Sequence, residues 1–379
     1  MKIFHISDLH LGLRLFGYSL MEDQRAILKQ ILRLAEKERP DAMIIAGDVF
    51  DKPAPPAEAV SMFDDFLTDF ARNEIPVLAV PGNHDSPERL SFGSRLMEGS
   101  GVIIAKPYNG HISPVTISDE YGGVDFWLLP FVRPADVRAN LSIEDITDSD
   151  RAVRAAVEAM KIDPARRNVL AAHLFTAGAK TCDSETAVIG GSDIVGVSAF
   201  EPFCYTALGH IHSPQSPAER VRYCGSPMKY SLSELEQQKS VTVAEIGGDG
   251  GLTLSELPLV PPRELRVLRG GYEELTDKRV YDGTAVEDYL HIVLTDEDER
   301  PFAVEALRSI YPNIMKLTYD NTRTRAAADP GDLPQIEKGI STYDLFAGLY
   351  KRQNGRDMSD EQADYLKSLI IRAEGGGNG

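Results

Sequence analysis

The chain carries a series of short apolar runs, and five of them stop at a residue able to bind a metal or move a proton. "KIFHIS" runs into Asp8 and His10, "AMIIAG" into Asp48 and Asp51, and "VLAVPG" into Asn83, His84 and Asp85. "NVLAAH" ends on His173, and "YTALGH" ends on His210 with His212 two residues further on. Runs of this length, bounded by Gly, Pro or a polar residue, read as buried strands entering loops, and "FWLLPF" belongs with them. Between the first two runs, Leu20, Ile27, Ile31 and Leu34 share one helical face; between the next two, Val60, Phe63, Leu67 and Phe70 do so. This β-α-β-α-β order predicts an α/β domain with its functional loops at the carboxyl ends of the strands.

In extended chain, residues i and i+2 point the same way, so Asp8 with His10, and His210 with His212, can each aim two side chains into one cleft. Gly47, Gly82 and Gly209 stand just before key residues, where sharp turns and close backbone approach are wanted. Imidazoles with carboxylate and amide oxygens suit borderline-hard divalent ions. A carboxylate can bridge two such ions about 3.5–4 Å apart, and such a pair acidifies water and clamps a displacement at phosphorus. Asp48 is the candidate bridge. Any one piece, a "GD" or an "HxH", is common by chance; the ordered set at successive strand ends is specific.

The rest of the chain divides by composition. Two prolines in "LPLVPPREL" mark a boundary, so residues 1–262 form the first domain. "LHIVLTD", "PFAVEALRSIY" and "IMKLTYD" read as strand, helix, strand, a small α+β unit over 263–322. A polar Ala/Asp/Pro/Gly linker is expected over 323–339. The tail, 340–379, resumes helical periodicity, with Leu345, Phe346, Leu349 and Tyr350 on one face and Tyr365, Leu366, Leu369 and Ile370 on another. Ser359 and Gln362 form a capping-box pattern. Two short helices bury little alone. They either dock on their own core or offer a surface to a partner.

Charge narrows the partners. With 40 Lys+Arg against 58 Asp+Glu, the formal net charge of −18 opposes the basic footprint of an autonomous nucleic-acid binder. If the substrate is nucleic acid, bound cations or a partner must supply positive field. No run approaches the roughly 20 apolar residues of a membrane span, and the N-terminus has no apolar leader. Cys182, Cys204 and Cys224 are too scattered for a metal or redox motif; they read as isolated buried thiols suited to the cytoplasm. No "GxxxxGK" occurs, so ATP dependence would have to come from a partner.

"SDLHLG", "GDVFD", "PGNHDSPERL", "LPFVRPADVR", "ALGHIHSPQ" and "YCGSPMKYSLSE" together resemble the calcineurin-like metallophosphoesterases, and more narrowly their DNA-repair nuclease branch. The resemblance spans the first domain; the small domain and tail fall where that branch has a capping domain and partner-docking helices. It implies a four-layer α/β sandwich, two mixed sheets flanked by helices. It implies that Asp8, His10, Asp48 and His212 hold one metal, and Asp48, Asn83, His173 and His210 the other, most often manganese. His84 would stay off the metals and contact the scissile phosphate or protonate the leaving oxygen. The implied substrates are DNA ends, single strands and hairpins, degraded by a homodimer working in a heterotetramer with an SMC-like coiled-coil ATPase. Where archaeal and eukaryotic relatives often carry His, this chain has Asp51, as bacterial ones commonly do; it would orient a ligand or water from behind.

Other residues have plainer readings. His5 reads as a buried, hydrogen-bonded strand histidine, and His111 and His291 as ordinary strand or surface residues. Asp85 is balanced between orienting an imidazole and serving as a turn residue. Arg89 and Ser226 are candidate phosphate contacts, each weighed against a structural role. Two other functions stay open at this stage: hydrolysis of cyclic nucleotides or phosphoproteins, for which the extra domain and tail are superfluous, and a scaffold for a coiled-coil ATPase.

Overall fold

In the computed structural model, which describes residues 1–183, 185, 193–328 and 341–375, the chain forms two compact units, Met1–Glu264 and Leu265–Gly379. The first holds two six-stranded sheets. In one, the parallel strands Lys2–Ile6, Ala42–Ala46, Val77–Val80 and Val102–Ile104 lie side by side in chain order. The antiparallel hairpin Ser240–Ile246/Leu252–Pro258 closes the Lys2–Ile6 side. In the other, Gly122–Leu129, Arg167–His173, Tyr205–Gly209 and Val221–Tyr223 are parallel, with the antiparallel strands Val115–Asp119 and Gln215–Ala218 at the two edges. Both sheets are mixed, and the parallel centre of each is the part that read as continuous apolar sequence, as strands buried on both faces must.

The sheets pack face to face. Ile3, Ile44, Leu78 and Val80 of one meet Phe126, Val169, Ala171 and Tyr205 of the other. Outside the second sheet, Trp127, Leu129, Leu170 and Leu208 pack on Val153 and Val157 of the helix Ser149–Ala159. The helices Met21–Glu38 and Ala57–Arg72 are the crossovers of the first sheet, and they bury Ile27, Ile31, Phe63, Phe66 and Phe70. Helix, sheet, sheet, helix is the four-layer order expected. Val60, placed on the buried face by its spacing, is 46% exposed. The buried stripe of its helix is centred on Ala59, Phe63, Phe66 and Phe70, and at 100° per residue Val60 falls on its margin.

The second unit has three parallel strands, Leu265–Gly270, Tyr289–Leu294 and Ile314–Tyr319, paired in chain order. Leu290, Ile292, Leu294 and Ile314 pack on Leu275, Leu307 and Tyr311. The strand "LRVLRG" went unread in the sequence. The expected linker over 323–339 needs correction at its start, since Thr322–Ala328 is helical; "TRTRAAA" is rich in strong helix formers. The remainder of that linker, 329–339, lies outside the described residues. In the tail, Thr342–Asn354 and Asp360–Gly375 are helices. Both capping-box bonds form: Ser359 N–H donates to Gln362 Oε1 at 3.0 Å, and Gln362 N–H to Ser359 Oγ at 3.3 Å. Leu345, Phe346, Leu349, Tyr365 and Leu369 are all more than two-fifths exposed, so the described residues do not cover those faces. Among the described residues, no helix is long and apolar enough to cross a membrane.

One buried ion pair ties the second sheet together. Arg167 donates to both Asp119 oxygens, at 2.9 and 2.6 Å, and to the Gly122 carbonyl at 2.8 Å. The Arg167 side chain is 8% exposed and that of Asp119 is 1% exposed. These bonds hold the Asp119 carboxyl well below the usual carboxylate range. A depressed carboxyl stabilises the fold above its unfolded pKa, near 3.9, and loses that contribution as pH falls toward its folded value. Asp119 Oδ2 also lies 2.7 Å from the Met1 ammonium, so Asp119→Ala leaves a buried guanidinium and the N-terminus without their carboxylate and is expected to cost about 3–5 kcal/mol at neutral pH. Urea unfolding of both proteins should give that gap at pH 7, narrowing as the pH drops below about 4.

Candidate metal centre

The carboxyl ends of the central strands of both sheets come together at one place. Asp8 and His10 follow Lys2–Ile6, Asp48 follows Ala42–Ala46, and Asn83 with His84 follows Val77–Val80; His173 ends one strand of the second sheet, and His210 and His212 follow another. The sheets touch at two glycines. A Cβ on Gly47 would collide with the His173 ring, and one on Gly209 with the Ala46 carbonyl. Gly47 also has φ +91°, open to glycine at little cost. Asp8, His10, Asp48 and His210 take positive φ themselves, at 54°, 41°, 50° and 99°. Such backbone survives only where the surroundings impose it. Here Asp8 N–H donates to Gly47 O at 2.9 Å and His10 N–H to Asp48 O at 3.0 Å, locking the two loops together.

The side chains converge. His10 Nε2 and His212 Nε2 are 3.2 Å apart. Asp48 Oδ2 lies 3.7 Å from His10 Nε2 and 3.3 Å from His173 Nε2, so one oxygen faces both halves of the cluster. Asn83 Oδ1 is 3.0 Å from His173 Nε2 and 3.1 Å from His210 Nδ1. The Asp8 carboxylate accepts from His210 N–H at 3.1 and 3.2 Å and from the Ser7 hydroxyl. Asp8, His10, Asp48, His173 and His212 are buried, while Asn83 and His210 are half-buried. All seven expected ligands thus lie in one cluster.

Its electrostatics are unbalanced as they stand. Burial favours a neutral Asp8 and raises its pKa. Burial also opposes charge on His173, but the carboxylates of Asp48 and Asp8 outweigh it and raise that imidazole to about 9. Desolvation, with neighbouring imidazoles opposing a further positive charge, lowers His10 and His210 to about 3. The donor set answers this mismatch if cations are present. Two imidazole nitrogens 3.2 Å apart subtend roughly 100° at a shared ion with bonds of about 2.1 Å. Asp8, His10 and His212 offer ligand atoms within 4.8 Å of one another, as do Asp8, Asp48 and His173. The residues fit divalent ions.

The supporting residues differ from expectation in several places. His84 Nδ1 lies 2.9 Å from the Asp51 carbonyl, an acceptor only, so Nδ1 carries the proton and Nε2 is left available. Asp51 therefore reaches the site through its backbone. Asp85 orients no imidazole: its carboxylate accepts from the N–H groups of Gly82, Val49 and Phe50 at 2.9, 3.1 and 2.9 Å, joining the Asn83 loop to the Asp48 loop. Ser226 is fully buried, donates to Met228 O and accepts from Lys239, so it presents nothing to a substrate. Arg89 is exposed, with Nη1 3.2 Å from Pro53 O. His5 is buried against the Tyr205 hydroxyl at 2.8 Å. Cys204 and Cys224 are buried thiols, but Cys182 is half-exposed and its thiol donates to Glu185 at 3.2 Å. Three contributors went unread. Gln24 holds the Leu9, His10 and Gly12 backbone, Tyr230 donates to Leu9 O, and Glu234 meets His212. Gln24 lies on a helix with no marker beyond residue type, while Tyr230 and Glu234 fall within "YCGSPMKYSLSE" without a role being read for either.

Residues 1–214 match the family described as calcineurin-like phosphoesterase. The chain belongs to that family. Residues 261–354 match a second, described as the type 5 capsule protein repressor C-terminal domain. The SbcD subunit of the nuclease SbcCD from Staphylococcus epidermidis is 33% identical over 380 residues, covering 98% of each chain. The crystal structure of a dimetal phosphatase from Danio rerio aligns with 69% of this chain and 96% of its own at 11% identity, with a TM-score of 0.42. For a calcineurin-like phosphoesterase the His/Asp cluster at the strand ends is the expected seat of divalent ions.

Asp85 is the sharpest test of how the cluster is held. Asp85→Ala removes the acceptor of three buried N–H groups and is expected to cost at least about 2 kcal/mol. Thermal unfolding should register the loss, and a metal titration should show weaker binding, because the Asn83 and Asp48 loops are no longer joined.

Proposed function

We propose that the chain is the nuclease subunit of a DNA-processing complex, a metal-dependent phosphodiester hydrolase acting on duplex ends, single strands and hairpins in repair and recombination. The observation that carries the proposal is the 33% identity to a nuclease subunit across 98% of both chains. The seven-residue cluster supports it. Asp8, His10, Asp48 and His212 would hold one ion, and Asp48, Asn83, His173 and His210 the other, with manganese the proposed metal. Bound there, the ions would supply Lewis acidity toward water and phosphate.

The chain's own groups do the rest. The neutral Asn83 oxygen limits negative charge in a site that already holds Asp8 and Asp48. His84, pinned at Nδ1 by Asp51 O, offers Nε2 to the scissile phosphate or to the leaving oxygen. It also lies close to His10 and Asp48, with ligand atoms within 4.8 Å of one another. A cavity of about 660 Å³ opens beside Asn83, His173 and His210; its walls include Phe131, Leu174 and Phe175, suited to the face of a base. Arg89, exposed near the Asn83 loop, is the proposed phosphate contact.

The partners follow the same reading. The exposed apolar tail faces would dock an SbcC-type coiled-coil ATPase, and exposed Val60, Phe92 and Leu96 support a homodimer within the heterotetramer. A cytoplasmic setting goes with this reading.

In manganese, the purified protein should shorten linear duplex DNA and cut hairpins. His84→Asn is expected to lower the rate about 10²–10⁴-fold with metal content unchanged, as for loss of a general acid. Asp48→Ala should abolish both cleavage and normal metal content. Wild-type rates in both variants would overturn the assignment. Deleting residues 340–379 should abolish co-purification with the ATPase while manganese-dependent cleavage persists; undiminished co-purification would reject the tail as the docking site.

A further inference from the structure

His212 is held by several residues outside the ligand set: its N–H donates to Glu185 Oε1 at 2.7 Å, and its carbonyl accepts from Ser226 N–H at 3.1 Å. Its ring Nδ1 lies 3.3 Å from Glu234 Oε1, and its backbone carbonyl accepts from Lys239 Nζ at 2.8 Å. The same Nζ donates to Glu234 Oε2 at 2.5 Å, to Ser226 Oγ at 2.9 Å and to Gln237 Oε1 at 2.7 Å. Glu234 ends the short turn Leu232–Glu234 and is fully buried; Lys239 is 3% exposed. A buried ion pair is weak as a stabilising device, since apolar residues of similar volume do as well. This one bears on His212 at both its ring and its backbone carbonyl. Because a carboxylate can only accept, Nδ1 of His212 carries the proton, and Nε2 is left facing His10 Nε2 across 3.2 Å. His10, by contrast, has a buried Nδ1 without a hydrogen-bond partner among the described residues. Of these two facing rings, only His212 has its tautomer fixed from behind.

We propose that Glu234, anchored by Lys239, is the positioning residue of the ion held by Asp8, His10, Asp48 and His212. It sets the tautomer and orientation of His212 and strengthens that imidazole as a donor, as carboxylates behind metal-binding histidines do. The inference rests on the ligand assignment proposed above, and it places a functional residue in "YSLSE", well away from every strand-end motif.

The test is metal binding by the metal-free full-length chain, with Mn²⁺ followed by calorimetry and Co²⁺ by visible absorption. Glu234→Gln keeps size and removes charge. It is expected to weaken one of two sites about 10-fold and leave the other unchanged, with a lower metal-free melting temperature because the buried Lys239 ammonium loses its counter-charge. Glu234→Ala should weaken the same site by up to about 100-fold. The Co²⁺ spectrum of that site alone should change in both variants. Two sites of wild-type affinity in Glu234→Gln, beside loss of one site in His212→Ala, would overturn the positioning role and leave the ligand assignment standing. Equal weakening of both sites would reduce Glu234 to a structural residue. If His212→Ala also keeps both sites, the ligand assignment falls with the proposal.

Discussion

The close approach of the two sheets at Ala46 and Gly47 is the contact on which the site depends. His173 Nδ1 lies 2.9 Å from the Ala46 carbonyl, and the His173 ring fills the space where a Gly47 side chain would stand. Gly209, on the neighbouring strand, presses its backbone against the same carbonyl. This contact brings Asp48, from one sheet, within 3.3 Å of His173, from the other. Each sheet alone carries only part of the cluster. The four left-handed backbones at Asp8, His10, Asp48 and His210 are the local consequence: the chain must turn abruptly at each strand end to present a side chain inward. The unfavourable torsions are held by interlocked loop hydrogen bonds and by a core of buried Ile, Val and Phe beneath them.

The same convergence creates an electrostatic demand. Asp8 and Asp48 are buried, within reach of imidazoles whose pKa values are pushed in opposite directions, His173 up and His10 and His210 down. Without cations, burial favours a neutral Asp8 while Asp48 and Asp8 favour a charged His173, so the donors are not all in their metal-binding protonation states. Divalent cations resolve the conflict by letting the carboxylates ionise and the imidazoles stay neutral. The demand also bears on the acidic chain. A net charge of −18 repels polyanions at long range, so attraction for phosphate has to be short-range and local, concentrated where the cations sit.

The parts of this architecture that could be read from sequence share one property: they are buried on both faces or stand at the end of such an element. "AMIIA" and "VLAV" are continuous apolar runs because helices cover one side and a second sheet the other. Residues that end those runs were legible for the same reason. Edge elements were not. Val115–Asp119 and Leu252–Pro258 are partly exposed, and their alternating patterns are diluted by Ser, Thr and Glu, although the Gly-rich turn after Ile246 is itself a hairpin signal. Asp85 was legible as a special residue but not in its task. Its partners Val49 and Phe50 lie 36 and 35 residues away, and their N–H groups carry no sequence signature. Glu234 was likewise in view, within "YCGSPMKYSLSE", but not in its task, and Lys239, just before the strand Ser240–Ile246, pairs with it through no periodicity.

The tail poses the converse problem. Its helices have good local signals, a capping box at Ser359 and Gln362 and a Ser341 cap accepting from Asp344 N–H at 3.1 Å. Caps of this kind contribute about 1 kcal/mol each, which orders a short helix only marginally. The larger contribution should come from burying the apolar stripe, yet Phe346, Leu349 and Tyr365 stay about half-exposed or more. Full burial of such a side chain is worth roughly 1.5–3 kcal/mol, and about half of that is forgone at each half-exposed position. Helices capped this carefully and packed this little gain most of their stability when another surface covers them. The first unit needs no such help: its two sheets bury their own faces and assemble the cluster from within one chain.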